Sequence, residues 1–141
     1  MPGSSDQFYE NIRGKAMSYP DDLKYTKDHE WIRLKGKEAV VGITKYALEQ
    51  LSDVVHLELP EVGKTFKTGD AFGTIESTKT VSDLYMPVAG KVTAVNADLL
   101  KKLDSIDKDP YASGWLVKLD VTDDKGPLMS AQEYEKFIAE D

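Results

Sequence analysis

Two segments of this sequence repeat the same turn pattern, and they constrain the fold more than any other feature. LPEVGKTF at Leu59 to Phe66 and MPVAGKVT at Met86 to Thr93 align Pro, Gly and Lys at a common offset of 27 residues. A Pro can begin a strand without losing a ladder N–H, and a Gly adopts backbone conformations closed to other residues. The repeat predicts two similar half-sheets related by a pseudo-twofold axis. The alternative is chance recurrence of a common turn signal.

Short alternating segments separated by turn residues surround these units, a pattern typical of a β-rich sandwich or barrel. WIRL at Trp31 to Leu34 and EAVVGI at Glu38 to Ile43 flank KGK, which predicts a hairpin turn around Gly36. In two further segments, successive side chains are expected to point to alternate faces of a strand. Their predicted inward residues are Val55, Leu57 and Leu59 in VVHLELP and Trp115, Val117, Leu119 and Val121 in WLVKLDV.

Two helices are predicted among the strands. Apolar residues recur every three to four positions between Thr44 and Leu51, which indicates a short helix that ends before Ser52. The tail opens with a capping box, Ser130 and Glu133. Its apolar residues form one helical stripe, so a terminal helix packed on the sheets is expected.

Composition narrows the possible functions of this chain. Its 141 residues, 40% of them hydrophobic, suit one globular domain. It has no cysteine, which excludes disulfides, thiolate nucleophiles and Cys-based metal sites, and only two histidines, His29 and His56. A metal centre is therefore not expected. The net charge of −7 also argues against a nucleic-acid partner.

The first residues lack the pattern of the rest of the chain. MPGSSDQFYENIRGKA, residues 1–16, shows neither helical nor strand periodicity and is not Arg-rich and acid-poor like a transit peptide. We interpret it as a disordered extension or a remnant of cloning, with Met17 beginning the functional chain and residues 17–141 forming one domain. The sequence has no apolar run of the length of a membrane span, so no membrane partner is expected.

The segment between the two repeated units contains one lysine among small hydroxyl residues. IESTKTVSD, Ile75 to Asp83, must reverse direction near Lys79, although it holds no Gly, Pro or Asn. Side-chain hydroxyls of Ser77, Thr78 and Thr80 can satisfy the backbone groups of such a turn. The predicted hairpin presents the Lys79 amine at a protruding tip, where another enzyme can reach it.

Several motifs, in this order, resemble the H protein of the glycine cleavage system. The resemblance covers roughly Leu23 to Glu140. It rests on HEW at His29 to Trp31, VGIT at Val41 to Thr44, LPEVG at Leu59 to Gly63, ESTKTVSDLYMPVAGKV at Glu76 to Val92 and DPYASGW at Asp109 to Trp115.

The resemblance implies a lipoyl carrier and not an enzyme. The implied fold is mainly β, a flattened hybrid barrel-sandwich of two antiparallel sheets with a short internal helix and a C-terminal helix. Lipoate would be attached to Lys79 through an amide bond. The implied partners are glycine decarboxylase (P protein), aminomethyltransferase (T protein), dihydrolipoamide dehydrogenase (L protein) and a lipoate ligase or lipoyl transferase. We expect a monomer, in a bacterial cytoplasm or in a mitochondrial matrix.

The implied function is transfer of a one-carbon unit during glycine catabolism. The carrier would take the aminomethyl group of glycine from the pyridoxal-phosphate decarboxylase to the tetrahydrofolate-dependent transferase, and the dehydrogenase would reoxidise its dithiol. Position matching nominates Glu30 and Asp83 for a cleft that holds the loaded arm, since an acidic lining binds a cation. Asp28 adds a carboxylate where many H proteins have a hydroxyl residue. Glu76 is a candidate for recognition by the lipoylating enzyme.

The sequence also departs from the family pattern. H proteins commonly carry a Pro and a Val-Asn pair where this chain has Leu103 and Ile106-Asp107, and an aromatic Phe where it has His56. These departures leave open a divergent H protein or an H-like lipoyl carrier for lipoyl relay or sulfur metabolism.

Two other functions agree less well with the residues. Biotin acceptors have Met on both sides of the lysine, whereas Thr78 and Thr80 flank Lys79. A hydrolytic enzyme would need a nucleophile with a base beside it, and Glu30, Asp83 and a histidine supply no such pair.

Overall fold

Two antiparallel sheets of unequal size build the structure, a computed structural model that describes residues 19–140. The predicted N-terminal extension, residues 1–16, and the predicted start at Met17 lie outside the described residues. The strands are β1 (Lys24–Tyr25), β2 (Glu30–Lys35), β3 (Glu38–Ile43), β4 (Val54–Glu58), β5 (Thr65–Phe66), β6 (Ala71–Ser77), β7 (Val81–Tyr85), β8 (Ala89–Val95) and β9 (Val117–Asp123). The helices are α1 (Lys45–Leu51), α2 (Ala97–Lys101), a 3-10 turn (Leu103–Asp107) and α3 (Ala131–Ala139).

The larger sheet has the strand order β1-β2-β3-β9-β8-β5, and the smaller has the order β4-β6-β7. All pairs in both sheets are antiparallel. Their facing side chains form one apolar core, in which Ile32 and Val92 of the larger sheet and Ile75 and Leu84 of the smaller sheet are almost fully buried. The mainly β two-sheet class predicted from the sequence is therefore confirmed.

The predicted local elements near the start of the fold are present. β2 and β3 form the hairpin expected around KGK, and Gly36 has the positive φ of 61° that such a turn requires. The short helix α1 begins after Thr44, whose side chain accepts a hydrogen bond from the Ala47 N–H, and its C-cap is Ser52.

The predicted inward face of the VVHLELP segment is wrong at Val55. Leu57 is buried, but a register shift between Val54 and His56 interrupts the pairing of β4 with β6. The side chain of Val55 is consequently 48% exposed, while Val54 packs against the core. Strict alternation fails there because a bulge changes which face a side chain takes.

The alternation predicted for β9 holds in its centre. Val117 and Leu119 are buried, and Lys118 and Asp120 are exposed. The sequence did not predict the 3-10 turn or α2, whose N-cap is Asn96.

The two copies of the repeated unit lie side by side in the larger sheet. Thr65 of β5 is opposite Lys91 of β8. Beyond β5, Gly63 N–H donates to the carbonyl of Val92 at 2.8 Å, and Val92 N–H donates to that of Lys64 at 2.9 Å. When each residue is replaced by its equivalent in the other copy, at the offset of 27, the pair Thr65–Lys91 becomes the pair Val92–Lys64. The contact between the two copies therefore has approximate local twofold symmetry. The two similar half-sheets predicted from the repeat are not found, because both copies lie in the larger sheet and the two sheets have six and three strands.

The terminal helix α3 packs as its pattern predicts. Ser130 and Glu133 form the reciprocal capping box, and Ala131 and Tyr134 are buried. Tyr134 stacks on Tyr25 with ring centroids 4.9 Å apart. A second, aromatic-rich core thus attaches α3 to β1 and β2.

Gly73 is predicted to be essential for the approach of β6 to β4. A Cβ at this position would lie 2.2 Å from the carbonyl oxygen of Glu58. Gly73→Ala should therefore lower the free energy of unfolding by about 2–3 kcal/mol, because the backbone must shift. Urea unfolding measures the change. The matched control is Gly36→Asn, where nothing lies within 4 Å of an added Cβ and Asn tolerates the positive φ; equal losses in the two variants would contradict the prediction.

Candidate functional site

The β6–β7 hairpin presents Lys79 at its tip. Thr78, Lys79 and Thr80 are all exposed, and Ser77 N–H donates to the Thr80 carbonyl at 2.8 Å. The buried Ser77 hydroxyl oxygen accepts the N–H groups of Lys79 at 3.1 Å and of Thr80 at 3.2 Å. Behind the tip, Thr78 N–H donates to the Asp53 carbonyl at 3.2 Å. One serine side chain therefore closes a turn that has no Gly or Pro, and the lysine side chain stays outside it.

A cleft of about 310 Å³ opens beside this tip, with Thr80 among its lining residues. Part of its wall is apolar and comes from both sheets and from α1. The apolar residues include Ile43, Leu51, Ile75 and Leu84. A flexible apolar chain attached near Thr80 would find a water-poor surface in this cleft.

The residues that line the cleft include two aspartates, Asp28 and Asp83. Asp28 lies in the turn between β1 and β2, and Asp83 lies on the edge strand β7. His29 and Tyr46 also line it, with ring centroids 5.0 Å apart. The fold thus brings together residues about 55 positions apart in the sequence and places two acidic residues at the edge of the cleft.

Glu30 lies outside this cleft, in a neighbouring cavity of about 150 Å³ that Asp28 also lines. It is only 1% exposed. Its Oε1 accepts the Thr26 hydroxyl at 2.7 Å and its Oε2 accepts the Tyr85 N–H at 3.1 Å. The carboxyl therefore connects β2 of the larger sheet to β7 of the smaller sheet.

Burial raises the pKa of Glu30 from 4.5 to about 8. Removal from water is the largest cause, and the hydrogen bonds from Tyr85 and Thr26 act in the opposite direction without cancelling it. The nearby charge of Asp28 raises the pKa further. Glu30 is therefore mainly neutral at pH 7, in contrast to an ordinary surface carboxylate.

Glu76 lies three residues before Lys79 on β6, opposite His56 of β4 and Val81 of β7. Its neighbours Ile75 and Ser77 are buried, so alternation directs Glu76 to the outer face of the small sheet. That face continues directly into the tip. An enzyme that docks over Lys79 would therefore contact the face that carries Glu76.

The sequence did not predict that His29 forms a wall of the cleft. Its backbone is left-handed, with φ at 70°, and Nδ1 lies 2.8 Å from the Tyr134 hydroxyl. The HEW motif contains this histidine, but nothing local indicates a partner 105 positions away. Within residues 19–140, no group of three or more His, Cys, Asp or Glu side chains could hold a metal ion.

An exposed lysine at a hairpin tip of a flattened two-sheet β fold is the arrangement of carrier domains that hold a covalently attached cofactor arm. The sequence profile described as glycine cleavage H-protein matches residues 23–141. The chain belongs to the glycine cleavage H-protein family. Among the helices of residues 19–140, none is long and apolar enough to cross a membrane.

Relatives of known name support this family assignment. The chain is 48% identical over 119 residues to the glycine cleavage system H protein of Herpetosiphon aurantiacus, covering 84% of this chain and 92% of that protein. It is 45% identical over 124 residues to that of Bacteroides thetaiotaomicron, covering 86% and 98%. The crystal structure of a glycine cleavage system H protein from Mycobacterium marinum superposes with a TM-score of 0.82 at 42% identity, covering 86% of this chain and 99% of that chain.

Glu30 is predicted to make stability fall as the pH rises. Between its unfolded pKa of 4.5 and its folded pKa of about 8, the folded protein holds a proton that the unfolded chain releases. The free energy of unfolding should fall by about 1.4 kcal/mol per pH unit in this window from this group. Glu30→Gln should remove that slope, since Gln is neutral at every pH and has nearly the shape of a protonated carboxyl, with one acceptor oxygen and an NH2 group that donates.

Urea unfolding from pH 5 to about pH 9 tests this expectation, because the difference between wild type and variant isolates one group. Glu61→Gln, which removes an exposed carboxylate, is the matched control and should run parallel to the wild type. Parallel curves for Glu30→Gln and wild type would show that Glu30 is ionised in the folded protein.

Proposed function

We propose that this protein is the lipoylated carrier of a glycine cleavage system, with lipoate in amide linkage to Lys79. The observation that carries the proposal is the exposed Lys79 at a hairpin tip beside a partly apolar cleft. Bound lipoate supplies a dithiolane that accepts the aminomethyl group of glycine and is reoxidised from the dithiol after delivery. The chain itself presents, shields and releases this arm and performs no catalysis.

The residues around Lys79 suit an attached lipoyl group in three respects. The tip is stabilised from within by Ser77, so a modifying enzyme can take the Lys79 side chain without unfolding the turn. The apolar wall of the cleft suits an alkyl chain, and burial of each CH₂ group contributes about 0.8 kcal/mol. Thr78 and Thr80 beside the lysine favour lipoate over biotin.

Asp83 and Asp28 are proposed to hold the cationic cargo at the cleft. A protonated amine there can donate charge-assisted hydrogen bonds to carboxylate oxygens, and the surrounding wall excludes water that would hydrolyse the cargo. Glu30 is proposed to act from the adjacent cavity, where a cation would favour its ionised form. Glu76 is proposed as a contact for the lipoylating enzyme on the outer face.

The proposed partners are the P, T and L proteins of the glycine cleavage system and a lipoate ligase or lipoyl transferase. Each must bring its active site over the same lysine, so their docking to the tip is mutually exclusive. The named relatives are bacterial, which favours a bacterial cytoplasm as the place of this function. The second candidate is an H-like carrier for lipoyl relay or sulfur metabolism, favoured by the departures at His56, Leu103 and Ile106-Asp107.

Lys79 is predicted to be the acceptor of the lipoyl group. Co-expression with a lipoate ligase should add one lipoyl increment to the intact mass of the wild type and of Lys67→Arg, a matched control at an exposed lysine. Lys79→Arg should gain none, because a guanidinium forms no such amide. An increment that persists in Lys79→Arg would refute the assignment, as would its absence from the wild type.

Reconstitution separates the two candidate functions. The lipoylated protein should support glycine-dependent release of carbon dioxide by glycine decarboxylase, and the unmodified protein should not. Lipoylation without any such support would favour the H-like carrier of another pathway.

Asp83 is predicted to prolong retention of the aminomethyl cargo. Asp83→Asn should shorten the lifetime of the loaded protein by about fivefold, because the amide oxygen still accepts a hydrogen bond but no longer carries the charge that strengthens it. The lifetime is measured as ammonia release after the partner enzymes are removed. Asp98→Asn, at an exposed aspartate on α2, should leave it unchanged; equal lifetimes in the two variants would exclude Asp83 from holding the cargo.

A further inference from the structure

A buried chain of hydrogen bonds connects the C-terminal helix to the cleft. Tyr134 of α3 is 0% exposed. Its hydroxyl lies 2.8 Å from Nδ1 of His29 and 2.8 Å from Oγ1 of Thr44. His29 lines the cleft, and Thr44 caps the helix α1 that supplies Tyr46 to the cleft wall.

More than one direction fits these distances, because a hydroxyl group both donates and accepts and an imidazole nitrogen does either according to its tautomer. Oγ1 of Thr44 accepts the Ala47 N–H at 3.3 Å and still has its own proton, which it can donate to Tyr134. A hydrogen bond from Thr44 lowers the pKa of Tyr134, as donation to the phenol oxygen should, while burial raises that pKa much more. The Tyr134 hydroxyl therefore keeps its proton. Of the two neighbours at 2.8 Å, Thr44 Oγ1 and His29 Nδ1, an unprotonated ring nitrogen is the stronger acceptor for this proton.

The position of the His29 ring is fixed by its backbone and its neighbours as well. His29 N–H donates to the Thr26 carbonyl at 3.0 Å, and its carbonyl accepts the Thr44 N–H at 3.0 Å. These two bonds maintain the left-handed φ of 70°, which is uncommon for residues other than glycine. The ring also packs near Phe137 of α3, with centroids 6.0 Å apart. The surroundings thus determine where the imidazole lies in the cleft wall.

We propose that Tyr134 is a positioning residue for the cleft, whose hydroxyl donates to Nδ1 of His29 and holds the imidazole neutral with its proton on Nε2. This role depends on the proposed function only for the identity of the cargo that binds in the cleft. A doubly protonated ring would place a positive charge beside Asp28 and Asp83 and oppose the binding of a cationic cargo. The C-terminal helix, far from the lysine in sequence, thereby sets the charge of the site.

Nitrogen NMR of the histidine rings tests the proposal directly in unmodified protein. The chain has only two histidines, and the exposed His56, identified by His56→Gln, serves as an internal reference. At about pH 8, above the ordinary histidine pKa of about 6.5, the wild type should show His29 protonated at Nε2, with Nδ1 accepting a hydrogen bond. Protonation at Nδ1 in the wild type would overturn the proposal without any variant.

Tyr134→Phe removes only the donating hydroxyl. The Nδ1 resonance of His29 should shift toward that of a ring nitrogen without a hydrogen bond, and the loaded, lipoylated variant should lose its cargo about fivefold faster than wild type. Tyr25→Phe is the matched control, because Tyr25 stacks on Tyr134 but donates its hydroxyl to the Pro20 carbonyl at 2.7 Å. It should change neither quantity.

An unchanged Nδ1 resonance in Tyr134→Phe, or equal cargo loss in the two tyrosine variants, would overturn the positioning role. Failure of the proposed function appears differently. It would be seen as absence of the lipoyl mass at Lys79. The tautomer of the His29 ring, measured in the unmodified protein, would still test the role of Tyr134.

Discussion

The carboxyl of Glu30 is the contact on which the geometry of the cleft depends. It is carried by β2 of the larger sheet and accepts the Tyr85 N–H of β7, the edge strand of the smaller sheet that also carries Asp83. A buried backbone N–H needs a partner, and an ionised carboxylate in the same place would be costly. A neutral Glu30, with its pKa raised to about 8, meets both conditions. One side chain of β2 therefore links the larger sheet to the edge strand of the smaller sheet that carries Asp83.

Local signals in the sequence predicted much of the fold for a physical reason. The turn at Gly36, the capping box at Ser130 and the helix beginning after Thr44 depend on neighbouring residues, so a short window contains what determines them. Val55 was placed on the wrong face because the bulge in β4 arises from its pairing with β6. Which strands pair, and where a register shifts, is decided by contacts between distant segments.

The candidate site likewise contains some features that neighbouring residues determine and others that depend on contacts between distant segments. The sequence predicted an exposed Lys79 between two strands and hydroxyl groups that satisfy the turn, and Ser77 makes those bonds. Resemblance nominated Glu30 and Asp83 together, but the structure separates them into a cavity and a cleft that share Asp28. The contact of His29 with Tyr134 spans 105 positions and has no local signature.

The positions that depart from the family pattern are not equivalent in the structure. Ile106 is 1% exposed and Leu103 is partly buried, both in the 3-10 turn that packs toward β4. Changes there alter how the core is filled, and they leave the tip unchanged. His56 differs, because it is exposed and lies opposite Glu76 on the strand that leads to Lys79. If this chain serves different partners from its relatives, His56 is the departure that a docking partner would meet on the outer face of the small sheet, whereas Asp28 is the departure that lines the cleft.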